Sequence, residues 1–229
     1  MLKLNQYLKE AAAEKDRHLT HIEDAVLEGG VAGTRNAIQF LIALRDMFAD
    51  DGTTLSESAR GLILRTKFDG APAIYAGVNP ENGKFFVGSK SIFAKNAKLN
   101  YTPADVMKNH SGGLADKLLV ALKYLPELGI TDVMHGDFMF THDDLKTETI
   151  DGKKYIIFRP NTITYAVPVG TPLAAQIERA KMGVVWHTTY HGKTMDKLQT
   201  HFDVDITKLH KSPNVWFREN RFVDATGKQ

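Results

Sequence analysis

Cysteine is missing from the whole 229-residue chain. Disulfides, thiolate metal sites and cysteine nucleophiles are thereby excluded, and a reducing cytoplasm is the expected location. Long apolar runs are missing too. No stretch approaches the ~20 residues of a spanning helix, so no membrane role is expected. Met1 to Lys15 carries charges and alanines where a secretory leader would carry an apolar centre. Strong charge of one sign is also absent. Twenty-nine Lys and Arg face 27 Asp and Glu, and a net charge of +2 does not by itself announce a nucleic-acid partner. Internal repeats and low-complexity segments are absent. The chain does have the apolar and charged fractions of an ordinary globular protein, 43% and 24%. Its length suits one sizeable domain with a small accessory unit.

The residues up to about 52 predict a helical unit. Thr20 and Glu23 have capping-box spacing ahead of Ile22, Val26 and Leu27. Gly29 to Gly33 breaks the pattern. This glycine run lacks the Gly-Lys-Ser/Thr ending of a P-loop and reads as a helix break. Ile38, Leu41, Ile42, Leu44 and Phe48 then give the stripe of a helix over Arg35 to Phe48. Residues 53–229 predict an α+β domain. Leu62 to Lys67, Ala71 to Val78 and Lys84 to Ser89 read as an antiparallel meander, its later turn at Asn79 to Gly83. Helices are predicted at Pro103 to Lys108, Leu114 to Leu125, Thr171 to Ala180 (entered through Pro172) and Met195 to Phe202. Strands are predicted at Thr131 to Phe140, Tyr155 to Tyr165 after an Asp151-Gly152 turn, Gly183 to Thr188 and Val215 to Val223.

Lys67-Phe68-Asp69-Gly70 is the most informative segment. It places a lysine at the end of an apolar run, with an aspartate two residues on and a glycine three residues on. A neutral lysine amine can attack the α-phosphate of a nucleoside triphosphate, expelling pyrophosphate and leaving a phosphoramidate. Cations, a metal or desolvation favour the neutral amine. The phosphates call for cations and Mg²⁺, and the base for an aromatic ring. Asp69 would orient the loop and Gly70 would permit close backbone approach. A strand-end surface lysine beside a turn explains the same four residues.

Further segments follow in an order that resembles the covalent nucleotidyltransferases: ATP-dependent DNA ligases, RNA ligases and capping enzymes. Thr66 to Gly70 resembles the first motif of that superfamily. Lys84 to Ser91 resembles the strand and Ser-Lys element of RNA ligases, and Val133 to Met139 the third motif with Asp137 in place of Glu. Tyr155 to Phe158 resembles the aromatic strand that follows, and Lys181 to Val185 the fourth motif. The ensemble is similar to ligase-like proteins of large tailed phages, which would put the protein in the host cytoplasm.

The resemblance implies a ligase-type adenylation domain that uses ATP and Mg²⁺ or Mn²⁺. Lys67 would be the adenylated nucleophile, acting for DNA or RNA ends. Thr66 would present its backbone to the adenine edge, and Asp137 would bind ribose or a metal-bound water. Phe158 would stack on the purine, and Lys90 would contact ribose or phosphate. Guanine is open as the base, as in capping-type guanylyltransferases. The chain departs from the pattern in two places. Met182 occupies the metal-binding glutamate position and cannot bind Mg²⁺, with Glu178 one turn earlier as substitute. The late Lys-x-Lys pair is not recognisable, and Arg218 or Arg221 would supply its charge. No C-terminal OB domain is recognisable either. An inactive ligase fold that binds nucleotide or nucleic acid is the alternative.

Other segments carry two readings. Lys84, Lys90, Lys95 and Lys98 interleave with Phe85, Phe86, Phe93 and Tyr101. That composition suits a single strand, or equally a solvated strand edge. His187 and His191 have helical ligand spacing in a strand-like context, so a place in the pocket wall is expected instead. His135 and His142 read as structural, and Arg159-Pro160-Asn161 as a turn, with Arg159 reaching the phosphates as the other reading. The N-terminal helices would bind a partner or pack on the second unit.

Overall fold

A computed structural model describes residues 22–49, 65–202 and 204–221. The chain divides into two compact units, residues 1–64 and 65–229. Thr20, the expected cap, and the expected strand residues 62–64 lie outside the described residues. In the first unit, α1 spans Ile22–Ala49 and is broken at Gly30, whose φ of 53° and ψ of −136° no helix contains. Glycine tolerates that conformation. The break turns the chain so sharply that a Cβ on Gly33 would lie 1.7 Å from the Ala25 carbonyl oxygen. No helix among the described residues is long and apolar enough to cross a membrane.

The second unit is mixed α+β. Its larger sheet contains β1 (Ala73–Val78), β2 (Phe85–Gly88), β3 (Val133–Thr141), β7 (Met182–His191), β8 (Gln199–His201) and β9 (Val215–Glu219). The order is β2-β1-β3-β7, after which β8 and β9 share the far side of β7. β9 runs parallel to the first half of β7, and β8 antiparallel to its end. The smaller sheet is the meander β4 (Lys146–Ile150), β5 (Lys153–Phe158) and β6 (Tyr165–Pro168). Asp151 and Gly152, with φ of 49° and 76°, make the β4–β5 turn. The helices are α2 (Pro103–Asn109), α3 (Gly112–Tyr124) and α4 (Pro172–Arg179). Thr102 and Asp105 close a capping box on α2, and Thr171 caps α4.

Apolar residues alternate between the faces of the larger sheet. Ile74, Ala76, Met134, Phe138, Val184 and Trp186 join Leu118, Ala121 and Leu125 in one core. Met139, Phe140 and Val185 join Ile156, Phe158 and Ile177 in a second. The smaller sheet and α4 therefore cover only part of the face opposite α3. A third cluster of Tyr75, Phe86, Ile92, Val133 and Tyr190 packs nearby, and His135 and Asp137 are partly buried residues of that face.

Three expectations are corrected by this architecture. Residues 65–67 form no strand: Arg65 makes an isolated bridge to Arg221, and the Thr66 N–H donates to the Asn220 carbonyl at 2.7 Å. The neighbours of β1 are β2 and β3. Met195 to Phe202 is not one helix: a single 3-10 turn at Met195–Lys197 is followed by β8, because pairing with the end of β7 overrides the helical spacing. Tyr155 to Tyr165 is not one strand: β5 ends at Phe158 and Pro160 stands in the loop to β6.

Candidate functional site

Lys67 to Gly70 runs along the seam between the two sheets. On one side, a Cβ on Gly70 would lie 2.4 Å from the Asp137 Cβ and 3.0 Å from both the Met139 sulfur and the Phe138 carbonyl. Any side chain at residue 70 would push the segment off β3, so the glycine is required for close approach. On the other side, Asp69 grips the β5–β6 loop. Its carboxylate accepts from Thr162 N (2.7 Å), Thr162 Oγ1 (2.6 Å), Ile163 N (2.9 Å) and Asn161 Nδ2 (2.8 Å). The Thr162 hydroxyl, the Ile163 N–H and the Asn161 amide hold this carboxyl far below its ordinary range, so it stays ionised. Its own N–H donates to the Tyr165 hydroxyl at 2.8 Å, and Phe68 stacks on the Tyr165 ring. Asp69 thus orients the loop.

Beyond Gly70, Lys117 of α3 donates to the Ala71 carbonyl at 2.9 Å and lies 5.4 Å from the Phe138 ring centre. The Ala71 N–H donates to the Phe138 carbonyl and the Phe138 N–H to the Pro72 carbonyl. The peptide bond between Ala71 and Pro72 is cis. Lys67 itself is exposed.

Asp137 has the opposite environment to Asp69. Burial pushes its carboxyl up to about 6, the Asp69 charge adds to the rise, and Lys67 opposes it. His187 Nε2 stands 3.9 Å from Asp137 Oδ1. Burial, and then the Arg65 charge, hold that imidazole down to about 4. Both shifts disfavour the ion-paired form. Above pH 6 the carboxylate faces a neutral imidazole, and below pH 4 the imidazolium faces a neutral acid. His187 Nδ1 lies 2.7 Å from Thr188 Oγ1. When the hydroxyl donates to Nδ1, the ring proton is on Nε2 and faces Asp137. His187 follows Val185 to this side by two-residue alternation, and the register shift between His135 and Gly136 leaves it without a cross-strand partner. His135 stacks on Tyr75, with ring centres 4.0 Å apart, and meets His187 edge-on at 4.3 Å.

The other predicted residues are spread more widely. Ala73, Asp137, Val185 and Arg218 form one row across the sheet. Arg218 is exposed and two strands from Asp137, about 10 Å at ordinary strand spacing. Lys90 is exposed just beyond the end of β2. The Thr66 N–H is already bonded to Asn220. Phe158 is 4% exposed and stacked on Tyr165, so a purine would reach it only by displacing that ring. Met182 is fully buried opposite Thr141, three rungs along β7 from the partner of Asp137. Glu178 is exposed on α4. No group of three His, Asp or Glu that could hold a metal occurs among the described residues. Asp137 alone of the two proposed ligands lies beside Lys67, and a single carboxylate suits a Mg²⁺ held mainly by substrate phosphates.

The basic and aromatic segment resolves toward the edge reading. Phe86 is fully buried, Phe93 packs on Tyr75 and Tyr190, and Tyr101 accepts from Asn79. The lysines border the edge strand β2. His191 pairs with Asp132 at 3.1 Å and His142 lies 3.3 Å from the Ala180 carbonyl, both structural contacts. Arg159 donates to the Asn161 carbonyl within its own turn. Sequence reasoning missed the 161–163 loop and Lys117 as partners of the motif. Each contact spans at least 46 positions and leaves no local signal.

No curated protein and no solved structure matches the chain. One family model does match, over residues 16–229, and it is described as a family of unknown function. The chain belongs to that family, DUF6267.

Proposed function

We propose that the second unit is a ligase-type nucleotidyltransferase domain and that Lys67 is its nucleophile. The observation that carries this reading is the packing of Gly70 on Asp137, which joins two distant motif segments at one seam. The unprotonated Lys67 Nζ, its proton lost to solvent, attacks the α-phosphorus of ATP. The N–P bond forms as the bond to the bridging oxygen breaks, and pyrophosphate leaves with the electron pair. Mg²⁺ bound to the triphosphate would neutralise charge on its oxygens. Asp137 binds the ribose or a water of that ion, and Lys90 approaches the phosphates. The adenylyl group then passes to a 5′-phosphate on DNA or RNA, and a 3′-hydroxyl displaces AMP.

Incubation with labelled ATP and Mg²⁺ or Mn²⁺, followed by a denaturing gel, tests this. Wild-type protein is expected to carry a covalent label, while Lys67→Ala and Lys67→Arg carry none, since neither offers a usable amine near neutral pH. Wild-type protein that takes no label from any nucleoside triphosphate ends the reading. Labelling from GTP alone would make the domain a guanylyltransferase.

Met182 favours a second reading. The position of the expected metal carboxylate is a fully buried methionine, and Glu178 faces outward. On this reading the site binds nucleotide without transferring it, and binding survives Lys67→Ala.

A further inference from the structure

A cleft of about 670 Å³ lies beside β9, between the last turn of α4 and the 206–213 loop. Ile206, Trp216 and Phe217 supply half-buried apolar surface, and Arg179, Lys211 and Arg218 supply exposed cations. No acidic residue lines it among the described residues. Among the described residues, none of the three cations is in an ion pair.

The wall is pinned in place. Glu127 accepts from the Ser212 hydroxyl and from Asn214 Nδ2 at 3.1 Å, and the His210 N–H donates to the Leu128 carbonyl at 2.9 Å. Asp205 fixes the loop's start through the Thr207 N–H at 3.0 Å. The two carboxylates bonded to the rim, Glu127 and Asp205, are thus occupied in holding the cleft's shape. Three unpaired cations over aromatic surface match the requirements of a single nucleic-acid strand: phosphates on the cations, bases on the rings. The lysine-rich β2 segment has turned its aromatics inward and lacks the second half of that combination.

We infer that this cleft binds a single nucleic-acid strand, with backbone phosphates on Arg179, Lys211 and Arg218 and a base against Trp216. The inference does not depend on Lys67 transferring a nucleotide.

The test is fluorescence anisotropy of a labelled 12-nucleotide oligothymidylate, titrated with the full chain at several salt concentrations. Three phosphate contacts predict a slope of log affinity against log salt near about −2, from roughly −0.7 per contact on single strands. Arg179→Gln with Lys211→Gln is expected to bring the slope to about −0.7 and weaken binding about tenfold or more. Trp216→Phe is expected to remove the oligonucleotide-induced change in tryptophan emission, because Trp186 is fully buried. An unchanged melting temperature verifies folding of each variant. Lys67→Ala should bind the strand as wild type does, and the double Gln variant should take nucleotide label as wild type does, so the two readings fail separately. The inference is overturned if wild type does not bind the strand, if the double Gln variant binds it equally, or if polyglutamate competes as well as the strand does.

Discussion

Met134, Gly136 and Phe138 of β3 face α3, whereas His135 and Asp137 face the seam that holds Lys67 to Gly70. The first face packs in the apolar core with α3, and Met134 and Phe138 are nearly or fully buried there. The second face carries a half-buried carboxyl pushed up to about 6, with a neutral imidazole 3.9 Å away. Alternation along one strand therefore separates a face chosen for packing from a face that costs stability. Such local violations of good packing are where function is expected.

The contrast is broken most strongly from the packed side. Phe138→Ala should destabilise the second unit by about 3–5 kcal/mol, the usual range for a buried phenylalanine. Chemical denaturation measures it. A loss below about 1 kcal/mol would mean that the α3 face is not the main core. Gly70→Ala comes next. The new Cβ would meet the backbone-fixed Cβ of Asp137, so strain of about 1–3 kcal/mol is expected. Covalent labelling should fall with it, since the segment carrying Lys67 lifts from β3. Full labelling by a stable Gly70→Ala protein would separate the glycine from the site.

Asp137→Asn probes the other face and reverses the sign. The folded carboxyl holds its proton more tightly than the unfolded one, whose ordinary value is 3.8. The stability that the group contributes is complete below that value and is lost as pH rises through about 6. Asparagine has no charge to bury. The variant should match wild type at pH 4 and exceed it by about 1–2 kcal/mol at pH 8, a figure reduced from the full linkage value for partial exposure. His187 works in the opposite sense, losing stability as pH falls from 6.5 through about 4, so wild type itself should show little net slope between pH 4 and 6. Melting temperatures of both proteins from pH 4 to 8 test this, and a variant less stable than wild type at pH 8 would mean that Asp137 has a structural partner.

Much of this architecture is legible in the sequence where local pattern and tertiary burial agree. β1, β2, β3, β7, α2, α3 and α4 all follow from apolar spacing and caps. The failures have physical causes. All five residues of β4 are exposed, so no burial pattern marks it, and only the Asp151-Gly152 turn pairs it with β5. Thr200 reads as part of a helix but pairs with Tyr190 at the end of β7. At the site, Lys67, Asp69, Gly70 and Asp137 are visible as residue types at telling positions. The environments that divide the two aspartates are not visible. Asp69 is held ionised by a loop more than ninety positions away, and Asp137 is raised by burial that only the folded sheet creates.

The smallest expected effect joins the two faces. Lys117 belongs to α3, yet its Nζ reaches the edge of the sheet, donates to the Ala71 carbonyl and lies over the Phe138 ring. It adds a side-chain donor from α3 to the backbone bonds that Phe138 makes with Ala71 and Pro72. Lys117→Met keeps the apolar stem and removes the donor, so a loss of about 0.5–1.5 kcal/mol is expected, the net value of one hydrogen bond. If Lys117 positions the loop, labelling at saturating nucleotide should slow several-fold while Lys117→Arg, which restores a donor, recovers part of the rate. If its role is packing alone, Lys117→Met should label at the wild-type rate despite the altered melting temperature. A rate that falls in Lys117→Met and recovers in Lys117→Arg would tie the packed face of β3 to the chemistry on its other side.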